Sequence, residues 1–200
     1  MNELIKQLQN RRSVREFTGE KIKEEDLQTM LATAQRAANS VGKRNIGPKS
    51  ADGVLVGAVD AGIVVNSLQT AAHALGYGTT VIGAIRKATK EFIKMLELPE
   101  YVFPIVGTTI GVPVERKLTR VKPRVPLDTF VFEDTYDAKK VEEGVEFHEK
   151  DTVAWREENG TPQLPSYKEM IVRIYENFYN TSKQDLEGQG FKFADELDEK

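Results

Sequence analysis

The hydrophobic positions of this chain repeat first at helical spacing and later in short runs. Leu4, Ile5 and Leu8 give one helical face over residues 2–9. Leu27, Met30, Leu31, Ala34 and Ala38 form an i, i+3, i+4, i+7 stripe. Glu24, Glu25 and Asp26 open that helix, where acidic groups suit the positive end of the dipole. A polar, glycine-bearing stretch over 41–53 reads as a loop, with Ser50 or Asp52 as the cap of a long apolar helix. From Val54 to Leu75 the chain is apolar on most helical faces, which predicts a central, buried helix. Gly57 and Gly62 would let another helix approach it, and Gly76 and Gly78 end it.

Strands are predicted at Thr79 to Gly83 and Ile105 to Gly111, with a short amphipathic helix from Ala88 to Leu96 between them. Pro113, Pro123 and Pro126 mark 112–126 as an extended basic loop. Phe130 and Phe132, alternating with Val131 and Glu133, suggest an edge strand. Beyond Ala138 the composition turns polar. Ser166 with Glu169 forms a capping box ahead of Met170, Ile171, Ile174, Tyr175 and Phe178, an amphipathic helix over about 166–180. The last twenty residues read as charged and mobile apart from an anchor at Phe191–Phe193. There is no internal repeat, and the order of elements gives mixed α and β without the regular alternation of a doubly wound sheet.

Composition narrows the chemistry. The 200 residues include no cysteine, which excludes disulfides, thiolate metal sites and a cysteine nucleophile. Two histidines, His73 and His148, argue against a multi-histidine metal centre, and no metal is expected. His73, among apolar neighbours, reads as a satisfied core histidine; His148, among Glu146, Glu149 and Lys150, reads as solvated; Trp155 reads as a hydrophobic anchor. A net charge of −3 does not favour nucleic acid globally. The 54–75 window has the length of a membrane span, but Asp60, Asn66, Gln69 and His73 would be costly in lipid. With no apolar leader in MNELIKQLQNRRS, a cytoplasmic protein is expected.

Three basic segments remain. Arg11-Arg12-Ser13-Val14-Arg15 offers guanidinium forks and a hydroxyl suited to phosphate oxygens. Val81-Ile82-Gly83-Ala84-Ile85-Arg86 leaves a strand with small residues that admit a flat ligand to the backbone. Lys122-Pro123-Arg124 sets two cations about a stiff proline, a clamp for an anionic group. Taken singly, each reads more readily as a solvated charge cluster, a tight turn and an exposed basic loop. There is no GxxxxGK[ST], GxGxxG or GxSxG motif.

In order and spacing the three segments resemble the FMN-dependent nitroreductase superfamily, in its NADPH-dependent flavin oxidoreductase branch. The matching text is RRSVREFTGEKI, LVGAVDAGIVVNSLQTAAHALGYGTTVIGAIR, LPEYVFPIVGTTIGVP and KPRVPLDTFVFEDTY. The resemblance implies an α+β, three-layer α/β/α sandwich with a mainly antiparallel central sheet, in an intertwined homodimer with FMN at the subunit interface. It places Arg11, Arg12, Ser13, Val14 and Arg15 at the flavin phosphate and ring edge, and Val81, Ile82, Gly83 and Ala84 along the ring. Arg86, just beyond them, is expected among the cofactor-binding residues as well. It returns Lys122 and Arg124 to the phosphate and offers the Asn39 side chain to the flavin. Residues 1–136 become the FMN-binding core and 137–200 a C-terminal dimer arm.

The activity implied is two-electron, ping-pong hydride transfer from NADPH or NADH through FMN to nitroaromatics, quinones or flavins. FMN carries the chemistry and no protein acid or base is required. Arg12 or Arg15 would supply positive charge near N1 and O2 of the ring. The competing reading is a flavin- or nucleotide-binding relative without turnover; a basic-pocket module for phosphorylated or nucleic-acid ligands is a third. Two features depart from the family pattern. A strand–helix–strand insertion expected between Ser40 and Val54 has no counterpart, and a central gap in a sheet is hard to tolerate, which favours residues missing from the chain as given. A bonded Ser40–Val41 pair, with Cα atoms ~3.8 Å apart inside a complete sheet, would oppose that view. For the 2′-phosphate of NADPH, the region beyond Tyr136 offers Arg156 near Lys150, amid Glu157 and Glu158.

Overall fold

A computed structural model describes residues 2–37, 51–176 and 181–193. Asn39, the Ser40–Val41 junction, Ser50 and Phe178 lie outside the described residues. The rest form two compact units. One contains the described residues up to Val114 together with 181–193; the other starts at Glu115 and runs through 176.

In the first unit, α1 spans Glu3–Gln9, with Asn2 accepting the Leu4 N–H at 2.8 Å as its cap. Helix α2 spans Glu24–Gln35 and α3 spans Ala51–Ala74. Gly76, at φ +85°, supplies the left-handed residue that ends α3, and the chain enters β1, Gly78–Ile82. A 3-10 turn over Gly83–Ala88 leads to α4, Thr89–Met95, and then to β2, Gly107–Gly111. The strands pair antiparallel, with Gly78 opposite Gly111 and Ile82 opposite Gly107. They make a two-stranded sheet among the described residues. The core joins Met30 of α2, Ala72 of α3 and Tyr77, with Ile22, Leu27, Leu68 and Ile110 packed around them. Tyr77 buries its ring there and donates its hydroxyl to Asp26 at 2.7 Å, which satisfies a polar tip that burial would otherwise penalise.

Two expectations about this unit are corrected. Helix α3 is not enclosed: Leu55 and Val59 are 63% and 62% exposed, and Ile63 is also exposed. An all-round apolar helix needs neighbours on every side, and among the described residues of this unit α3 meets α1, α2 and β1 and leaves this stripe exposed. Helix α3 is long and apolar enough, by length and composition, to cross a membrane. The end of the chain is not wholly loose either. Helix α7, Ser182–Gly188, buries Asp185 and Leu186, and Gln189 donates Nε2 to the carbonyls of Leu98, at 3.3 Å, and Pro99. The aromatic anchor is present, with Phe191 edge-on to Tyr101 and Phe103.

In the second unit, Phe130–Phe132 form no edge strand, against expectation. A 3-10 turn at Leu127–Thr129 precedes them, and Phe132 instead meets the edge of Tyr136 at 5.5 Å. Helix α5 then runs over Ala138–Glu158, capped by Asp137, whose carboxylate accepts the N–H groups of Lys139 and Lys140. Helix α6, Tyr167–Glu176, starts in the expected capping box: Glu169 accepts the Ser166 N–H at 2.8 Å, and Ser166 Oγ accepts the Glu169 N–H at 3.1 Å.

Candidate functional site

In the first unit the arginine segment is stitched to the sheet. Past α1 the chain straightens, and Ser13 forms a parallel bridge with Thr79 of β1. Val14 donates its N–H to the Thr79 carbonyl at 2.9 Å, and Thr80 returns its hydroxyl to the Val14 carbonyl. The same segment crosses to the end of β2, where Thr18 N–H meets Val112 O at 3.0 Å and Val114 N–H meets Glu16 O at 3.1 Å. Extended backbone alternates its side chains. Val14 therefore points inward and is buried, while Ser13 and Arg15 point outward and are exposed. Arg11 and Arg12 are half-buried. Among the described residues none of Arg11, Arg12 and Arg15 forms an ion pair with a carboxylate.

Beneath the segment lies a buried polar cluster that hydrophobic patterning did not reveal. Thr79, with no exposed surface, accepts Gln69 Nε2 at 2.8 Å and lies 3.0 Å from His73 Nε2. Gln69 and His73 sit four apart on α3, so both reach the same strand residue. His73 titrates below the ordinary histidine range, first because burial disfavours the cation and then because Arg11 repels it. Its Nδ1 has no partner among the described residues. A protonated ring would have to donate from both nitrogens, so the geometry also favours the neutral form.

At the other end of β1, Val81 is 44% exposed, Ala84 is exposed and Ile82 and Gly83 are half-buried. The two candidate segments thus share one strand: Ser13 and Val14 lie on Thr79, and the small residues come after Val81. A strand rises about 3.3 Å per residue, so Thr79 to Ile82 covers roughly 10 Å, the scale of a flat ring system. Arg86 turns back on the protein: Nη1 donates to the Ile105 carbonyl at 2.6 Å, and its guanidinium lies 3.5 Å from where a Gly83 Cβ would stand. It braces the turn that Gly83 begins.

In the second unit, Lys122 and Arg124 are exposed on either side of buried Pro123, and Arg124 Nη1 donates to the Pro123 carbonyl at 2.9 Å. His148 corrects an expectation. It is buried, edge-on to the Tyr167 ring at 4.7 Å and 3.5 Å from Thr152 Oγ1. Burial lowers its pKa, and the charges of Lys122 and Arg124 lower it further. Trp155 is half-buried, with Nε1 donating to Arg120 O at 3.0 Å. Arg156 is buried and donates to the carbonyls of Leu164, at 3.3 Å, and Pro165. Its fork is thus committed to the turn ahead of α6 and is not presented to a phosphate.

Comparison with known proteins identifies the family of the chain. The model of the nitroreductase family matches residues 8–47 and 48–112, and that of the nitroreductase family C-terminal domain matches 122–194. The chain belongs to the nitroreductase family. A Bacillus subtilis protein named FMN reductase [NAD(P)H] is 29% identical over 249 aligned positions, covering 96% of this chain and 99% of its own. A Cr(VI) reductase from Pseudomonas sp. is 35% identical over 68% of this chain, and the match spans only 47% of that relative. Among solved structures, B. megaterium NfrA2 superposes with a TM-score of 0.88 at 26% identity, covering 96% of this chain and 99% of that one. The B. subtilis alignment is longer than this chain's 200 residues, so that relative carries positions with no counterpart here. The family match itself breaks between 47 and 48.

Proposed function

We propose that this chain is an NAD(P)H-dependent flavin oxidoreductase with FMN as its cofactor, reducing nitroaromatics, quinones or flavins. The observation that carries the reading is the row Arg11, Arg12 and Arg15: cations without carboxylate partners among the described residues, on a segment pinned along β1. Three mobile cations would make a poor anion site. Three cations on a fixed backbone lose less freedom on binding. A phosphomonoester brings about −1.5 to −2 charge and strong acceptor oxygens, which such a row matches.

In this reading Arg11, Arg12, Ser13 and Arg15 hold the phosphate and ring edge, and the backbone of Val14 fixes their order. Val81, Ile82, Gly83 and Ala84 line the ring, with Arg86 bracing their turn. The resemblance also assigns Lys122 and Arg124 to the phosphate and Asn39, which lies outside the described residues, to the flavin. The chemistry that FMN supplies when bound is two-electron carriage from NAD(P)H to a small acceptor, in ping-pong order. Arg12 or Arg15 holds positive charge against the ring edge. No side chain near these segments is required as an acid or base, and neutral His73 serves the packing beneath them.

The three-layer sandwich and the intertwined homodimer belong to the same proposal. Leu55, Val59 and Ile63 form an exposed apolar stripe on α3, and among the described residues nothing beyond the helix's own neighbouring backbone stands within 4 Å of a Cβ at Gly57 or Gly62. A second copy covers this face. A lipid phase fits it poorly, because Gln69 and His73 of the same helix are tied to Thr79. Residues 1–136 act as the flavin-binding part and 137–200 as the dimer arm, in a cytoplasmic enzyme that binds neither membrane nor nucleic acid.

One observation favours a flavin-binding relative without turnover: the break in the family match at 47–48. Oxidation of NADPH in the presence of a quinone separates the two readings, since only the enzyme turns over.

A further inference from the structure

Arg120 belongs to none of the three basic segments, yet its guanidinium makes three hydrogen bonds within its unit. Its Nη2 lies 2.7 Å from Asp151 Oδ1 and 3.3 Å from the Asp151 carbonyl, and its Nε lies 3.0 Å from Glu158 Oε2. Its own carbonyl accepts the Trp155 indole N–H at 3.0 Å. Asp151, Trp155 and Glu158 keep i, i+4, i+7 spacing, so they share one face of α5. Thr119 extends the clasp: its N–H meets Asn159 Oδ1 at 3.3 Å and its hydroxyl meets Glu158 Oε2 at 3.1 Å.

Among the described residues this clasp and the buried Pro123 flank the stretch that carries the two cations. The clasped segment lies in no helix or strand and leads directly to Lys122-Pro123-Arg124. We infer that Arg120 is a positioning residue for phosphate recognition, its forked pairing with Asp151 and Glu158 setting where Lys122 and Arg124 stand. The inference rests on the reading that those two cations meet the flavin phosphate.

The fork is essential to the argument. One guanidinium reaches two carboxylates through different nitrogens, which a lysine ammonium on a flexible stem does not reproduce with the same backbone fixed. The pairs are 30–41% exposed, and exposed pairs add little to global stability. Loss of Arg120 should therefore alter the loop and leave the fold intact. Its guanidinium titrates even higher than usual because its hydrogen bonds to Asp151 and Glu158 hold its charge.

The test compares the affinities of the protein for FMN and for riboflavin, which lacks the phosphate, in Arg120→Gln, Arg120→Lys and the double variant Lys122→Ala/Arg124→Ala. Arg120→Gln should weaken FMN about tenfold while riboflavin affinity stays within about twofold, with Arg120→Lys falling between. Equal losses for both flavins, or no loss for either, would overturn the role of Arg120. If the double variant loses the preference for FMN while Arg120→Gln keeps it, only the positioning role fails. If the double variant keeps the preference, the phosphate reading of Lys122 and Arg124 fails and takes this inference with it.

Discussion

Gly78 lies directly against Val14: a Cβ placed at 78 would stand 2.7 Å from Val14 Cγ2 and 2.8 Å from its Cβ. The close approach lets the arginine segment lie flat along β1. Gly78→Ala must push Val14 away, and with it the hydrogen bonds to Thr79 and Thr80. We expect a loss of about 1–3 kcal/mol in denaturant unfolding, the usual size of an overpacking penalty, together with weaker FMN binding. Full stability in Gly78→Ala would contradict this packing.

The arginines should matter to the cofactor far more than to the fold. Arg12→Gln and Arg15→Gln each remove a charged donor, a change of about 1.5–3 kcal/mol when the partner is an anion. FMN affinity should fall by about ten- to a hundredfold, with little movement in the melting temperature. Flavin fluorescence titration beside a thermal melt checks both halves.

Acid should weaken the fold through both histidines. The folded pKa of His73 and of His148 lies below the unfolded value of 6.5. The unfolded state therefore binds more protons in that window, and stability rises with pH. The contribution is present above 6.5 and is lost as pH falls through the folded values. Unfolding midpoints measured between about pH 7.5 and about pH 5 should decline. His148→Leu should flatten part of that decline, and an unchanged slope would remove His148 from the account.

The exposed face of α3 should govern assembly. Leu55→Glu with Val59→Glu sets charge on the stripe while leaving the buried Gln69–Ala72 side intact. Light scattering after gel filtration should show a dimer for the parent chain and a monomer for the variant. A parent chain that runs as a monomer would leave the stripe unexplained by a second copy.

Much of this architecture can be read from residues alone, and the failures have physical causes. The arginine row, the two strands, the capping box at Ser166 and the helices α1, α2, α4 and α6 come from spacing, propensity and caps. Helix α5 does not. Its buried positions are Gly144, His148, Thr152 and Arg156, a perfect four-residue repeat without one aliphatic side chain, so hydrophobic periodicity passes over it. The cap at Asp137 and that repeat of atypical residues were the available signals. Arg156 misleads for a related reason. An arginine among glutamates resembles a surface ligand-binding group, but two backbone carbonyls nearby in space, at Leu164 and Pro165, claim it first. The exposure of α3 shows the reverse: an all-apolar helix reveals that it must be covered, but not whether its own chain does the covering.

The central claim is that this chain holds FMN and passes electrons through it. An absorbance spectrum of the purified protein, recorded before and after anaerobic addition of NADPH, tests it most directly. The account predicts a yellow protein whose flavin band bleaches on reduction and returns with a quinone. A colourless protein that takes up no added FMN would contradict it.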